Sequence, residues 1–170
     1  EDLDWINNWK QYFHQFYVDD ILIIPSWEEV KPEDSDKMII HIDPGTAFGT
    51  GMHETTQLCI RQLRKYVTKE AQVLDVGCGS GILGMLALMF GAGHSVGTDL
   101  DPCAIDATRE NMAVNAIPES RYEVMIGNII NDRKVQERAG YEKYDIVVAN
   151  ILADVLVELT PVITGQMKKG

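Results

Sequence analysis

Cysteine is scarce in this sequence: Cys59, Cys78 and Cys103 are the only three, and no two form a CxxC pair. An odd, scattered set argues against a disulfide framework and against a structural zinc site, so no metal is expected. It fits a reducing, cytoplasmic setting. Bases are also few, 15 against 26 acids, for a formal net charge of −11. Nothing resembles a polybasic stripe. Phosphate contacts dominate nucleic-acid affinity, so direct nucleic-acid binding is disfavoured. No apolar run reaches the ~18 residues of a membrane span, and no basic-then-apolar leader opens the chain, so no membrane partner is expected. There is no internal repeat and no low-complexity tract.

What remains is ordinary globular composition, 45% hydrophobic and 24% charged over 170 residues. That length suits one domain of ~100–200 residues. The acidity is uneven. Residues 1–43 hold 11 acids and 3 bases, while the other 127 residues carry a net charge of only −3. Such a surface keeps a protein soluble and allows a cationic protein partner.

Hydrophobic spacing sets out the elements. Leu3, Ile6, Trp9, Phe13 and Phe16 recur at helical steps, which predicts an amphipathic helix over 2–16. Ile21–Ile24, ended by Pro25, and Met38–Ile42 read as strands, with a surface loop over 25–37 between them. Residues 43–51 contain three glycines and a proline, too much backbone freedom for a helix or a central strand. A helix is expected from His53 to Val67, with Leu58, Leu63 and Val67 inward. From residue 73 strands and helices alternate. Strands fall at Val73–Val76, His94–Thr98, Tyr122–Ile126 and Asp145–Ala149. Helices fall at Ile82–Phe90, Pro102–Asn115, Lys134–Ala139 and Ala153–Thr164, with Pro161 as a kink or early stop. The alternation predicts an α/β fold, a doubly wound and mostly parallel sheet with helices on both faces.

Gly77, Gly79 and Gly81 lie between the first of these strands and its helix. Glycine there permits a sharp turn and lets a ligand lie against bare main chain, beside the unpaired N–H groups of a helix start. Asp99 ends the next strand, about 20 residues on, where a ribose-binding acid belongs in such folds. Asp101 stands before Pro102 at a helix start, so it reads as an N-cap. Gly79, Gly81 and Gly84 also spell GxGxxG, so an NAD-dependent oxidoreductase is a rival. Asp75 opposes it: a carboxylate just before the turn repels a diphosphate and attracts a cation. S-adenosylmethionine carries a sulfonium and an ammonium and no phosphate. His53-Glu54-Thr55-Thr56-Gln57 misses the zinc-protease HExxH because Gln57 replaces the second ligand. Cys78 reads as a small residue that fits the turn, and Trp5, Trp9 and Trp27 as packing residues.

Val73-Leu74-Asp75-Val76-Gly77-Cys78-Gly79-Ser80-Gly81 resembles motif I of the class I S-adenosylmethionine-dependent methyltransferases. The loop from Asp43 to Thr56, with its Phe-Gly-Thr-Gly-x-His-x-Thr-Thr core, resembles more narrowly the signature of the ribosomal protein L11 methyltransferases (PrmA type). So do Asp4-Trp5, Pro25-Ser26-Trp27, Gly97–Pro102 and Val147–Leu152. The resemblance implies a Rossmann-like fold and S-adenosylmethionine as methyl donor. It implies transfer to lysine and N-terminal amino groups of a large-subunit ribosomal protein. It places Gly77, Gly79 and Gly81 at the donor's methionine part, Asp99 at its ribose, and Thr56 at its methionine end. Phe48 would lie over the donor and Asn128 near adenine. Asn150 would touch the donor and orient the target amine through its side-chain carbonyl, with the Ile151 backbone carbonyl as a second acceptor. Asn150 as a helix cap is the plainer alternative, and a non-catalytic S-adenosylmethionine-binding module is a further rival.

Residues 1–36 read as a lead-in helix and strand, and 37–170 as the catalytic domain. Four of the seven strands of a class I sheet are visible, so the sheet is expected to be truncated after the fourth core strand. A substrate-recognition domain is expected ahead of residue 1.

Overall fold

A computed structural model describes residues 13–43, 53–151 and 153–169. The chain divides into two compact units, residues 1–43 and 44–170.

The first unit is built on three short strands, β1 (Phe16–Val18), β2 (Ile21–Ile24) and β3 (Met38–His41). β1 pairs antiparallel with β2, and β2 pairs parallel with β3. All four side chains of β2 are buried, which suits a β-branched and leucine run in a central strand. The helix expected over 2–16 does not reach its stated end, because Phe16 already belongs to β1. Its first part, with Leu3, Ile6 and Trp9, lies outside the described residues. The cause is local: Phe16-Tyr17-Val18 is a strong β-forming run, and Asp19 takes a left-handed φ of 54° that turns the chain into β2. The loop over 25–37 carries a 3₁₀ turn at Pro32–Asp34. Asp34 is buried there and accepts a hydrogen bond from the Tyr17 hydroxyl at 2.7 Å. Trp27 packs edge-on against Phe13, ring centroids 6.4 Å apart, which is the packing role expected of it. The carboxylate of Asp43 closes the unit, accepting from the Ser26 N–H (2.8 Å) and hydroxyl (2.6 Å). Because β3 pairs with β2, the unit ends after Asp43 rather than after residue 36.

The second unit runs α1 (His53–Tyr66), β4 (Gln72–Val76), α2 (Ile82–Met89), β5 (His94–Asp99), α3 (Pro102–Val114), β6 (Tyr122–Ile126), α4 (Arg133–Ala139), β7 (Ile146–Ala149) and α5 (Ala153–Gln166). Its sheet has the order β6-β5-β4-β7, and all three pairings are parallel. The chain steps outward from β4 to β6 and then returns to the far side of β4. That reversal makes β4 and β7 a topological switch point, and ligands in open α/β sheets bind at its carboxyl edge. The fold is the doubly wound α/β class expected from the alternating pattern.

Side chains alternate across each strand. Leu74, Val76 and Val96 face Val135 and Ala139 of α4 and Leu159 of α5 in one apolar cluster. Asp75 lies on the other face, under α2. α2 itself is buried from Ile82 to Leu88, as its nearly unbroken apolar run predicts.

Two expectations need correction. Leu58 is 58% exposed; the buried face of α1 is Thr56, Ile60 and Leu63, with Val67 half-buried. The spacing misleads because Leu58 lies beside β7, where it lines an apolar groove of about 330 Å³ with Tyr66 and the strand. Pro161 neither stops nor ends α5, which continues to Gln166. Its missing N–H leaves the Val157 carbonyl unbonded within the helix, and Val157 is 75% exposed, so water can serve it. Past α5 the Lys168 N–H donates to the Tyr144 carbonyl, and Tyr144 forms a parallel bridge with Met167.

Candidate functional site

The register of the sheet assembles the site. Val76 is level with Thr98 on one side and Ala149 on the other, and Asp99 is level with Ile126. The residues at or just past these strand ends therefore share the carboxyl edge: Gly77, Asp99, Asn128 and Asn150.

The glycine turn is left-handed at each of its glycines, with φ of 70° at Gly77, 54° at Gly79 and 83° at Gly81. A Cβ at Gly77 would lie 2.6 Å from the Ile151 side chain, and one at Gly81 would lie 2.6 Å from Thr108. At Gly79 a Cβ would meet nothing within 4 Å. Gly79 thus faces open space with bare backbone, the form a ligand cradle takes.

Asp99 is tied to that turn. Its Oδ2 accepts the Gly79 N–H and its Oδ1 accepts the Asp101 N–H, each at 3.0 Å. Each carboxylate oxygen has a further lone pair, so a diol can still be bound. Asp101 does what its sequence context implies, capping α3 by accepting the Cys103 N–H at 2.8 Å.

Two polar residues of α3 buttress the turn, and the sequence reading missed both. The Thr108 hydroxyl donates to the Gly79 carbonyl (2.9 Å), and the Asn111 amide donates to the Ser80 carbonyl (2.9 Å). Both are buried. Their signal was a pair of polar residues three apart on the inward stripe of a helix, where apolar ones belong.

Asn150 and Thr56 meet across 94 positions of sequence. The Asn150 amide donates to the Thr56 hydroxyl at 2.9 Å, with Thr56 buried on α1. That bond uses one of the two N–H donors of the amide and fixes which end is the carbonyl oxygen, an acceptor. Asn128 makes a local turn instead, its side-chain oxygen accepting the Ile130 N–H at 3.0 Å. Phe48 lies outside the described residues.

Asp75 is fully buried, and burial pushes its carboxyl up to about 7. Hydrogen bonds from Tyr122 and from the Gly84 N–H pull the other way, and the Asp99 charge adds to the rise. Cys78 is buried, and its thiol is raised far above the usual range by that burial and by Asp75. Such a thiol is no nucleophile; it packs in the turn. Among the described residues no group of His, Cys, Asp and Glu could hold a metal ion. Nor is any described helix long and apolar enough to cross a membrane.

An open glycine cradle, a half-buried acid beside it and a buried carboxylate under it fit a ligand with a ribose and a cationic end. They fit a diphosphate poorly, because Asp75, once ionised, would repel it.

The whole chain, residues 1–170, matches the family described as Ribosomal protein L11 methyltransferase (PrmA). The chain belongs to that family. It is 61% identical over 173 residues to a protein of Agathobacter rectalis named "Ribosomal protein L11 methyltransferase", covering 100% of this chain and 54% of that protein. A Lachnospira eligens protein of the same name is 56% identical, with the same coverage of each. Among solved structures, a ribosomal protein L11 methylase from Lactobacillus delbrueckii subsp. bulgaricus superposes with a TM-score of 0.76 at 34% identity, covering 92% of this chain and 76% of that one. The chain spans about half the length of the curated relatives it matches.

Proposed function

We propose that the second unit, residues 44–170, forms the donor-binding part of an S-adenosylmethionine-dependent methyltransferase acting on ribosomal protein L11. The acceptors are amine nitrogens, of lysine side chains and of the chain's amino terminus. Family membership supports the reaction. The Asn150–Thr56 contact carries the choice of nitrogen, because it presents a fixed carbonyl oxygen at the carboxyl edge of the sheet.

The donor supplies a methyl group already activated on a sulfonium. The residues present would hold it by the glycine turn, with Asp99 at its ribose and Thr56, Phe48 and Asn128 completing the surroundings. The protein's own task is then alignment, a proximity effect that can be worth ~7–11 kcal/mol. The Asn150 carbonyl accepts a hydrogen bond from the amine and fixes the direction of its lone pair, and the Ile151 backbone carbonyl takes a second N–H. The amine must be neutral. An α-amino group, with a pKa near ~8, loses its proton readily, whereas a lysine near ~10.4 needs desolvation.

The test uses full-length protein, S-adenosylmethionine and purified ribosomal protein L11, with methyl incorporation read by mass spectrometry. Incorporation at amines is expected, and Asn150→Ala should lower the turnover rate by about 100-fold with donor affinity less affected. Unchanged incorporation in that variant would remove Asn150 from the mechanism. Binding of NAD without binding of S-adenosylmethionine would sink the methyltransferase reading.

A further inference from the structure

The glycine turn stands over a buried polar pair that the proposed alignment of the amine does not use. Tyr122, the first residue of β6, is fully buried. Its ring fills a slot left by two glycines. A Cβ at Gly84 of α2 would lie 2.3 to 2.4 Å from the ring and hydroxyl, and one at Gly97 of β5 would lie 2.9 Å from the hydroxyl. The hydroxyl donates to Asp75 Oδ2 at 3.2 Å, and the same oxygen accepts the Gly84 N–H at 3.2 Å. Ser95 holds the other side of that residue, donating to the Gly84 carbonyl at 2.9 Å. The Asp75 carboxylate of β4 is thus held from β6 by Tyr122 and from α2 by Gly84.

No base acts on it. The ionisable groups facing Asp75 are Tyr122 from β6, Asp99 from β5, Cys78 from the turn and Cys59 from α1. All are neutral or acidic. A buried carboxylate with no cation beside it is costly, and a ligand cation would relieve that cost.

We propose that Tyr122 is a positioning residue for donor binding: its hydroxyl holds the Asp75 carboxylate beneath the glycine turn, where the buried charge meets the cationic end of the donor. This role rests on the S-adenosylmethionine reading above. The carboxylate attracts the donor only when ionised, and each hydrogen bond it accepts favours that form. Losing the Tyr122 hydroxyl lets Asp75 keep its proton to higher pH, so donor binding is weakened near neutrality and restored in alkali.

The experiment uses full-length wild type, Tyr122→Phe and Asp75→Asn. The Asp75 carboxyl carbon is titrated by NMR without donor, and S-adenosylmethionine affinity is measured by calorimetry, both from about pH 5 to about pH 9. In wild type the affinity should rise through the Asp75 titration. In Tyr122→Phe the carboxyl midpoint should move up by about one pH unit, with affinity several-fold weaker at neutral pH and near wild type at the alkaline end. In Asp75→Asn the affinity should be weak and lose this pH dependence. An unmoved midpoint, or an affinity loss equal at every pH, would overturn the role of Tyr122. If Tyr122→Phe fails to fold, Asp75→Asn decides: a pH dependence that survives in it overturns the proposal. If wild type binds no S-adenosylmethionine at any pH, the donor reading falls and this role with it. The carboxyl titration would still report the Tyr122–Asp75 pairing by itself.

Discussion

Asp75 carries a carboxyl group where water does not reach it, 1% exposed and with its titration pushed up to about 7. The folded state therefore keeps a proton that the unfolded chain releases near the ordinary value of 3.8. Below that value both states are protonated and nothing is lost. As pH climbs toward 7, folding must retain the proton or bury a charge, so stability falls, by at most about 1.4 kcal/mol per pH unit from this group. Asp75→Asn removes the term. Urea unfolding at a series of pH values should show the variant gaining on wild type between about pH 4 and 7, with a constant difference above that. A difference independent of pH would mean that Asp75 does not titrate in the fold. Asp99, by contrast, is only half-buried and accepts two backbone N–H bonds. The two acids of one site thus differ in kind: one is a partly solvated clasp on the turn, the other a buried charge.

At the scale of elements, the close approach of α2 to the sheet depends on glycine. Gly84 stands on the face of α2 that meets Tyr122, and there is no room for a methyl group between them. Gly84→Ala must push Tyr122 off Asp75 or lift α2 off the sheet. Either way the overpacking should cost about 1–3 kcal/mol in an unfolding titration. The same variant should weaken donor binding, since α2 supplies the helix start under the glycine turn. A cost within experimental error would show that the slot has slack. α3 contributes differently. Its N-terminus is capped by Asp101, and its buried Thr108 and Asn111 reach back to the carbonyls of Gly79 and Ser80. Two helices thus set the shape of one five-residue turn.

For the molecule as a whole, the surface beside β7 stands out. Among the described residues β7 is an edge strand of the sheet, paired with β4. Leu58 and Tyr66 of α1 are 58% and 59% exposed next to it, lining the apolar groove. Exposed apolar surface of this sort favours association. The 170-residue chain should bind a hydrophobic fluorescent dye in its folded state, and Leu58→Glu with Tyr66→Glu should reduce that signal. Dye binding untouched by the double variant would place the sticky surface elsewhere.

Much of this was legible in the sequence. The strand–helix alternation fixed the α/β class because a parallel strand must be followed by a crossover, and the crossovers here are written as helical periods. Asp101-Pro102 declared a cap, and the glycines of residues 77–81 declared a left-handed turn, because these are local properties of the backbone. Local pattern failed where a neighbour distant in sequence decides. Leu58 has the period of an inward residue, yet what covers it depends on where β7 lies. Phe16 fits a helix by spacing and a strand by pairing, and β2 settles the matter. Tyr122 looks like any aromatic at a strand start, and only the register of β4, β5 and β6 sets its hydroxyl on Asp75. The bond between Asn150 and Thr56 joins residues 94 apart. Their hydrogen-bonding chemistry is fixed by residue type, but which atom donates to which is fixed by the packing of α1 against the sheet.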